Sequence, residues 1–226
     1  MKKIKIKSQP DFKEEKKLWR RGFRAVAGLD EAGRGPLAGP VVAGAVCFLG
    51  SRKQKKFSSA QIKDSKRLSA KQREAWYEFL TQRPEIKWGV GMVSEKIIDR
   101  VNILEATKLA MKMALENLKI KTDFLLVDGN STLPNWPVNQ KAVIGGDEKI
   151  WSCAAASIIA KVTRDRLMLK YHRQYSAYGF DRHKGYGTTA HIRALKKHGA
   201  SPIHRLSFRP LKLVGAVDKA GGRNVV

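Results

Sequence analysis

The sequence predicts an α/β layered domain, and three observations carry that expectation. Short apolar runs alternate with stretches of helical spacing. A Ser69–Gln72 pair, three residues apart, has the form of a capping box at a helix start. No run of about 18 apolar residues breaks the alternation, so no membrane-spanning helix is expected.

Residues 1–22 are lysine-rich and read as a basic N-terminal arm or a loose first helix. Arg24–Leu29 and Val41–Leu49 then read as strands, the second a continuous apolar run suited to burial on both faces. A polar link, Gly50–Ser59, follows. The capping box predicts a helix over Ala70–Thr81, and the alternation in Ile86–Val93 predicts a strand. Asn102 and Glu105 open a further helix to about Leu118, with Leu109, Met113 and Ala114 at apolar spacing. Asp123–Val127 is a short buried strand that runs into Asp128-Gly129-Asn130. Beyond the proline-containing loop Leu133–Pro137, a strand is expected near Lys141–Ile144. A long helix should then run from Glu148 towards Tyr171, its alanine-rich first half suited to close packing. The C-terminal segment reads as basic and loop-rich, and it holds all five histidines. These elements suggest one domain over residues 23–212, with a basic helical C-terminal extension folded beside the sheet and 213–226 as a tail.

The net charge is +25, from 45 basic and 20 acidic residues. Ten basic and three acidic residues lie between Met1 and Val26, and thirteen and two between Lys161 and Lys212. Such an excess points to a polyanionic partner. The basic residues are not confined to one amphipathic helix with aromatic anchors, which argues against membrane-surface binding. The N-terminus lacks an apolar h-region, so a secretory signal is not expected. Cys47 and Cys153 both sit in apolar surroundings and fit no metal motif. Reduced, buried thiols in a cytoplasmic protein are the expectation.

Four acids mark the chemistry. Asp30 and Glu31 end the first strand, Asp128 ends the Asp123–Val127 strand, and Asp147 precedes the long helix. Ligands of open α/β sheets gather at strand ends. If the first and fourth strands are neighbours, Asp30 and Asp128 lie side by side. Carboxylates so placed repel one another unless divalent metal compensates them, and such metal can activate water against a phosphodiester. Consecutive strand residues face opposite ways, so Asp30 and Glu31 are expected to share a site only if the strand breaks, which Gly33 and Gly35 would permit. Each acid also has a plainer reading: Asp147 as a helix cap, Asp128 as a turn residue, Glu31 as a surface partner of Arg34. Asp165 lies 18 positions after Asp147, about 27 Å along a continuous helix, and reads as structural. The irregular histidine spacing resembles no zinc motif. Pro36 and a second strand follow the glycine loop where a dinucleotide fingerprint needs a helix.

The segments Gly28-Leu-Asp-Glu-Ala-Gly-Arg-Gly-Pro-Leu-Ala-Gly-Pro40, Asp64-Ser-Lys66, Val127-Asp-Gly129 and Gly146-Asp147 together resemble the type 2 ribonucleases H, specifically bacterial ribonuclease HII. Ala154-Ala-Ala-Ser-Ile-Ile-Ala-Lys-Val-Thr-Arg-Asp165, Lys184-Gly-Tyr-Gly-Thr188 and His204-Arg-Leu-Ser-Phe208 continue the likeness, which covers roughly Ala25 to Pro210. The resemblance implies a ribonuclease H-like mixed five-stranded sheet with flanking helices. It implies Mg²⁺- or Mn²⁺-dependent hydrolysis of RNA in RNA–DNA hybrids, with two ions when substrate is bound, and incision 5′ of single ribonucleotides in duplex DNA. It makes Asp30, Glu31, Asp128 and Asp147 the catalytic, metal-binding acids. Gly33, Arg34 and Gly35 correspond to the sensor of the ribose 2′-hydroxyl, Tyr186 to the tyrosine on the next deoxyribose, and Lys66 to a phosphate contact. These roles make chemical sense, since the 2′-hydroxyl is what separates RNA from DNA locally and a glycine turn lets main-chain groups approach it. Arg34 offers a charged fork for phosphate. A monomer is expected. Two other classes remain open on the residues alone: a non-catalytic nucleic-acid-binding protein, and a metal nuclease of similar fold acting on DNA junctions.

Overall fold

The computed structural model describes residues 9–49, 62, 68–209 and 211. Strands β1 (Val26–Ala32), β2 (Val41–Phe48), β3 (Ile86–Val93), β4 (Phe124–Asp128) and β5 (Asn139–Val143) form one sheet in the order β3-β2-β1-β4-β5. The first three pair antiparallel, whereas β4 runs parallel to β1 and β5 parallel to β4. This is the expected mixed sheet, with β1 and β4 adjacent.

Among the described residues seven α-helices accompany it: α1 (Lys13–Arg20), α2 (Ala70–Gln82), α3 (Glu95–Val101), α4 (Ile103–Asn117), α5 (Trp151–Gln174), α6 (Phe180–His183) and α7 (Thr189–His198). Side-chain alternation sorts the two sheet faces. Ala27 and Leu29 of β1, with Leu125 and Val127 of β4, pack in one core with Ala106, Ala110 and Ala114 of α4. The alternate positions turn to α5, whose alanine-rich half lies directly on the strands. A Cβ on Gly28 would collide with the backbone of Ser152, and one on Gly44 with the Ala156 carbonyl. That close approach brings the next turn of α5, bearing Ser157, beside the end of β1. Each fully buried leucine, such as Leu29 or Leu125, contributes about 2–3 kcal/mol of transfer free energy.

The capping box at Ser69 and Gln72 forms as expected and opens α2. Asn102 caps α4 by accepting from the Leu104 and Glu105 N–H groups at 2.9 and 3.1 Å. Other parts differ from expectation. The long helix starts at Trp151 rather than Glu148, because Gly146–Glu148 forms a separate 3₁₀ turn. The C-terminal extension is helical as expected, with α6 and α7, the latter capped by Thr188, set among its loops. The stretch expected to be an arm or a loose first helix does form helix α1 in its described part, and that part is docked. Phe12 stacks on Trp151 with ring centroids 4.6 Å apart, Leu18 is buried, and Glu15 accepts the Ser152 N–H at 2.9 Å. A few apolar residues among lysines gave too weak a periodicity to announce this. A third core joins Met168 of α5 to Leu37, Ala38, Phe180, Leu195 and Ile203, fixing the C-terminal segment against the glycine-rich loop.

Candidate active site

Asp30 and Asp128 follow directly on the paired residues Leu29 and Val127 of the parallel β1–β4 ladder. Both carboxylates therefore leave the sheet on the α5 side. Asp147 enters from the 3₁₀ turn just before α5. One carboxylate oxygen from each of the three acids lies within 4.8 Å of the others. Asp30 and Asp147 are buried, at 4 % and 1 % exposure. Asp128 is oriented by the Gly146 N–H, which it accepts at 2.6 Å, and Asp30 by the Glu31 N–H at 2.7 Å and by the Ser157 side chain.

Burial first, then the neighbouring charges of Glu31, Asp128 and Asp147, raise the Asp30 carboxyl well above its ordinary range, although Ser157 opposes the shift. Burying like charges together is costly without a counter-charge. An all-oxygen set from three chain segments is the donor chemistry of a hard divalent cation, so these residues fit one.

The strand break expected between Asp30 and Glu31 does not occur. β1 stays paired with β2 through Ala32, matching Glu31 to Ala43 and Ala32 to Val42. Glu31 consequently leaves on the α4 face, where it shares a cleft with Arg34, Thr107, Lys108, Asp128 and Asn130. It is still near enough that Asp128 and Asp147 help raise its carboxyl, after burial and against the opposing pull of Arg34. The Arg34 Nη1 donates to Glu31 Oε1 at 3.2 Å. The four acids thus form a tight trio with Glu31 flanking it across the sheet edge.

The glycine-rich loop is held by two buried arginines. Arg205 donates from Nε to the Gly39 carbonyl at 2.8 Å, from Nη1 to Arg34 at 3.0 Å and from Nη2 to Gly33 at 2.6 Å. Arg164 donates to the carbonyls of Pro40, Lys184 and Ala38, each at 3.0 Å. Desolvation lowers Arg164 to about 10 and Arg205 to about 9, yet both stay charged at neutral pH. Gly33 has φ +97, and a Cβ there would strike the Arg164 side chain, so glycine is required twice over. With its carbonyls committed inward, the turn keeps its outer backbone and the half-exposed Arg34 side chain towards solvent.

Tyr186 stands at the rim. The residue is 45 % exposed, and its Cε1 lies 3.8 Å from where a Gly35 Cβ would be. Tyr186 thus adjoins the Gly33–Gly35 turn, and Glu31 links that turn to the acidic trio, pairing with Arg34 and sharing a cleft with Asp128. Lys66 lies outside the described residues. Asp165 pairs with Lys161 at 2.8 Å, consistent with a structural role. Arg164 and Arg205 were not singled out from the sequence. They sit inside the quoted motifs, but a buried arginine has no local signature; it is recognised by carbonyls from distant segments.

A family model described as Ribonuclease HII matches residues 27–210. Ribonuclease HII of Chlamydia pneumoniae is 54% identical over 203 residues, covering 90% of this chain and 92% of that protein. Ribonuclease HII of Endomicrobium trichonymphae is 48% identical over 200 residues, covering 88% and 92%. Among solved structures, ribonuclease H2 from Pyrococcus horikoshii superposes with a TM-score of 0.70 at 29% identity, covering 86% of this chain and 99% of that one.

Proposed function

The chain belongs to the ribonuclease HII family, and from that premise we propose that its three-carboxylate centre incises duplex DNA on the 5′ side of single embedded ribonucleotides. The coarser activity follows from the family itself: the protein is a ribonuclease H, an endonuclease that hydrolyses the RNA strand of RNA–DNA hybrids. The observation that carries the finer reading is the placement of Asp30, Asp128 and Asp147 within 4.8 Å of one another, next to a rigid glycine turn and an exposed tyrosine.

In this reading Asp30, Asp128 and Asp147 hold divalent metal, with Glu31 joining from the flank. Two Mg²⁺ or Mn²⁺ ions, when bound with substrate, supply the counter-charge, activate water and stabilise the leaving oxygen. The protein's own residues do the rest. Ser157 and the Gly146 N–H hold two of the carboxylates in place. Gly33 and Gly35 admit main-chain groups to the ribose 2′-hydroxyl, the one group that marks RNA at this point. Arg34 offers a two-pronged contact to a neighbouring phosphate, and Tyr186 packs on the next deoxyribose. Water adds hydroxide to phosphorus, the P–O3′ bond breaks, and the departing O3′ takes a proton. The ends are a 3′-hydroxyl and a 5′-phosphate. The reading includes a monomer in the cytoplasm. The free, buried state of both cysteines suits a reducing compartment.

The test is incubation with a duplex carrying one ribonucleotide, in Mg²⁺, Mn²⁺ or EDTA. Metal-dependent incision 5′ of the ribonucleotide is expected. The high positive charge alone would give salt-sensitive binding without cutting, and cleavage of an all-DNA duplex at the same rate would point to a DNA-junction nuclease; either result overturns the reading.

A further inference from the structure

We propose that His204 and His191 form a directional relay of neutral imidazoles which, with His183 stacked against it, positions Tyr186, so that recognition of the ribonucleotide–deoxynucleotide step depends on three side chains outside the acidic centre. The inference rests on the role given to Tyr186 above.

Hydrogen-bond polarity carries it. The Tyr186 carbonyl lies 2.9 Å from His191 Nδ1 and, as an oxygen, can only accept, so Nδ1 must donate. In a neutral ring the other nitrogen then accepts. His191 Nε2 sits 2.9 Å from His204 Nε2, which must therefore donate. That leaves His204 Nδ1 as an acceptor, and it receives the Ser201 N–H at 2.9 Å, with the Ser201 hydroxyl 2.8 Å away. Only one assignment satisfies every bond, and it runs in one direction from Ser201 to Tyr186.

His183 obeys the same logic. Its Nε2 lies 2.7 Å from the Tyr178 carbonyl and donates, while its Nδ1 accepts the Gly185 N–H at 3.2 Å. His183 and His191 stack at 4.5 Å with an interplanar angle of 16°, and Phe180 meets both edge-on. The Gly185–Tyr186 peptide is thus gripped from both ends, by an imidazole acceptor before it and an imidazole donor after it. The His183 carbonyl accepts the Tyr186 N–H at 2.9 Å, and the Gly185 carbonyl accepts the Leu37 N–H at 2.8 Å, tying this turn to the glycine-rich loop. The exposed ring of Tyr186 owes its position beside Gly35 to this backbone grip.

An added proton on His191 or His204 would break a bond, because each nitrogen already has a fixed role. Burial lowers all three imidazoles, His204 to about 4. Asp181, Lys184 and His172 act on His183, whereas the relay's own imidazoles act on His191 and His204.

The experiment compares cleavage of a duplex with one ribonucleotide against cleavage of a uniform RNA–DNA hybrid. The proteins are the full chain, His191→Leu, His191→Asn, Tyr186→Ala and Tyr186→Ala/His191→Leu. His191→Leu should lower the preference for the single ribonucleotide about tenfold, the worth of one buried hydrogen bond. Asparagine, whose amide reproduces the Nδ1 donor, should restore it to within about threefold. Adding His191→Leu to Tyr186→Ala should cost nothing further. An unchanged preference in His191→Leu, an equal loss on both substrates, or a further loss in the double variant overturns the relay while leaving the role of Tyr186 standing. An unchanged preference in Tyr186→Ala removes that role and the relay with it. Should the leucine variant fail to fold, two-bond ¹H–¹⁵N spectra of the unmodified protein decide the matter. They should show Nδ1–H on His191 and Nε2–H on His183 and His204; any other tautomer contradicts the proposal.

Discussion

The acidic centre and the clamp around the glycine-rich loop meet at the Glu31–Arg34 pair, yet they are built on opposite rules. At the centre, like charges are buried together, and burial with mutual repulsion pushes Asp30 up. In the clamp, the buried polar groups match their partners: Arg164 and Arg205 each satisfy three carbonyls, and the imidazoles run donor to acceptor. The first region is incomplete without a cation, and the second is complete by itself. Under the proposed function, a site that binds metal and also recognises one hydroxyl gains from keeping its frustration in one half and its rigidity in the other.

Disabling the frustrated half should have the largest effect. Asp30→Asn removes charge but little volume, so cleavage should fall by about 10³-fold, the scale of a lost preorganised electrostatic group. Substrate affinity in a gel-shift assay should persist. Near-normal turnover in this variant would detach Asp30 from the chemistry.

Breaking the rigid half should register first as stability. Arg205→Met strands the carbonyls of Gly33, Arg34 and Gly39 in a buried setting. A loss of about 3–5 kcal/mol is expected, read as a fall in Tm of about 10 °C. A loss below 1 kcal/mol would show that the loop holds its shape without the clamp.

Two buried groups outside the acidic trio carry opposite pH signatures. His204 is driven from 6.5 to about 4 by burial and by His191, so the unfolded chain takes up the proton first as pH falls. Its contribution is complete above pH 6.5 and lost as pH drops towards 4, by roughly 3 kcal/mol. Glu15, beneath the start of α5, is raised from 4.5 to about 7 by burial. The folded protein keeps that proton longer than the unfolded chain, so its contribution is complete below pH 4.5 and lost as pH rises through 7. Glu15→Gln should accordingly stabilise the protein by up to about 3 kcal/mol above about pH 8 and change little below about pH 5. Urea unfolding across pH measures both trends, and a pH-independent effect of Glu15→Gln would refute the assignment.

The smallest expected change falls on the boundary between the halves. Arg34→Ala removes a half-exposed side chain paired with Glu31, and preference for the ribonucleotide junction should weaken about tenfold in competition assays. Unchanged discrimination would leave Arg34 as a surface partner of Glu31.

The same division governs what the sequence made legible. Acids at strand ends and the Ser69–Gln72 box are local patterns, and Ile86–Val93 forms the predicted strand. The adjacency of Asp30 and Asp128 needed only one guess about strand order. The clamp was opaque because its donors and acceptors lie far apart in the chain: Arg205 meets Gly33 across 172 positions. Its arginines counted as surface charge until burial showed otherwise. Helix α3 has only seven residues and no side-chain cap from Ser94, so periodicity had little to work on. The expected break after Asp30 failed for a subtler reason. Both faces of one strand end can serve a site when the neighbouring parallel strand stops there, as β4 does at Asp128.

The most direct test is anomalous diffraction at the manganese edge from crystals soaked in Mn²⁺. A peak within bonding distance of carboxylate oxygens of Asp30, Asp128 and Asp147, absent from Asp30→Asn crystals, is the predicted result. Manganese bound elsewhere, or a peak indifferent to Asp30→Asn, would contradict the claim that these three segments build the hydrolytic centre.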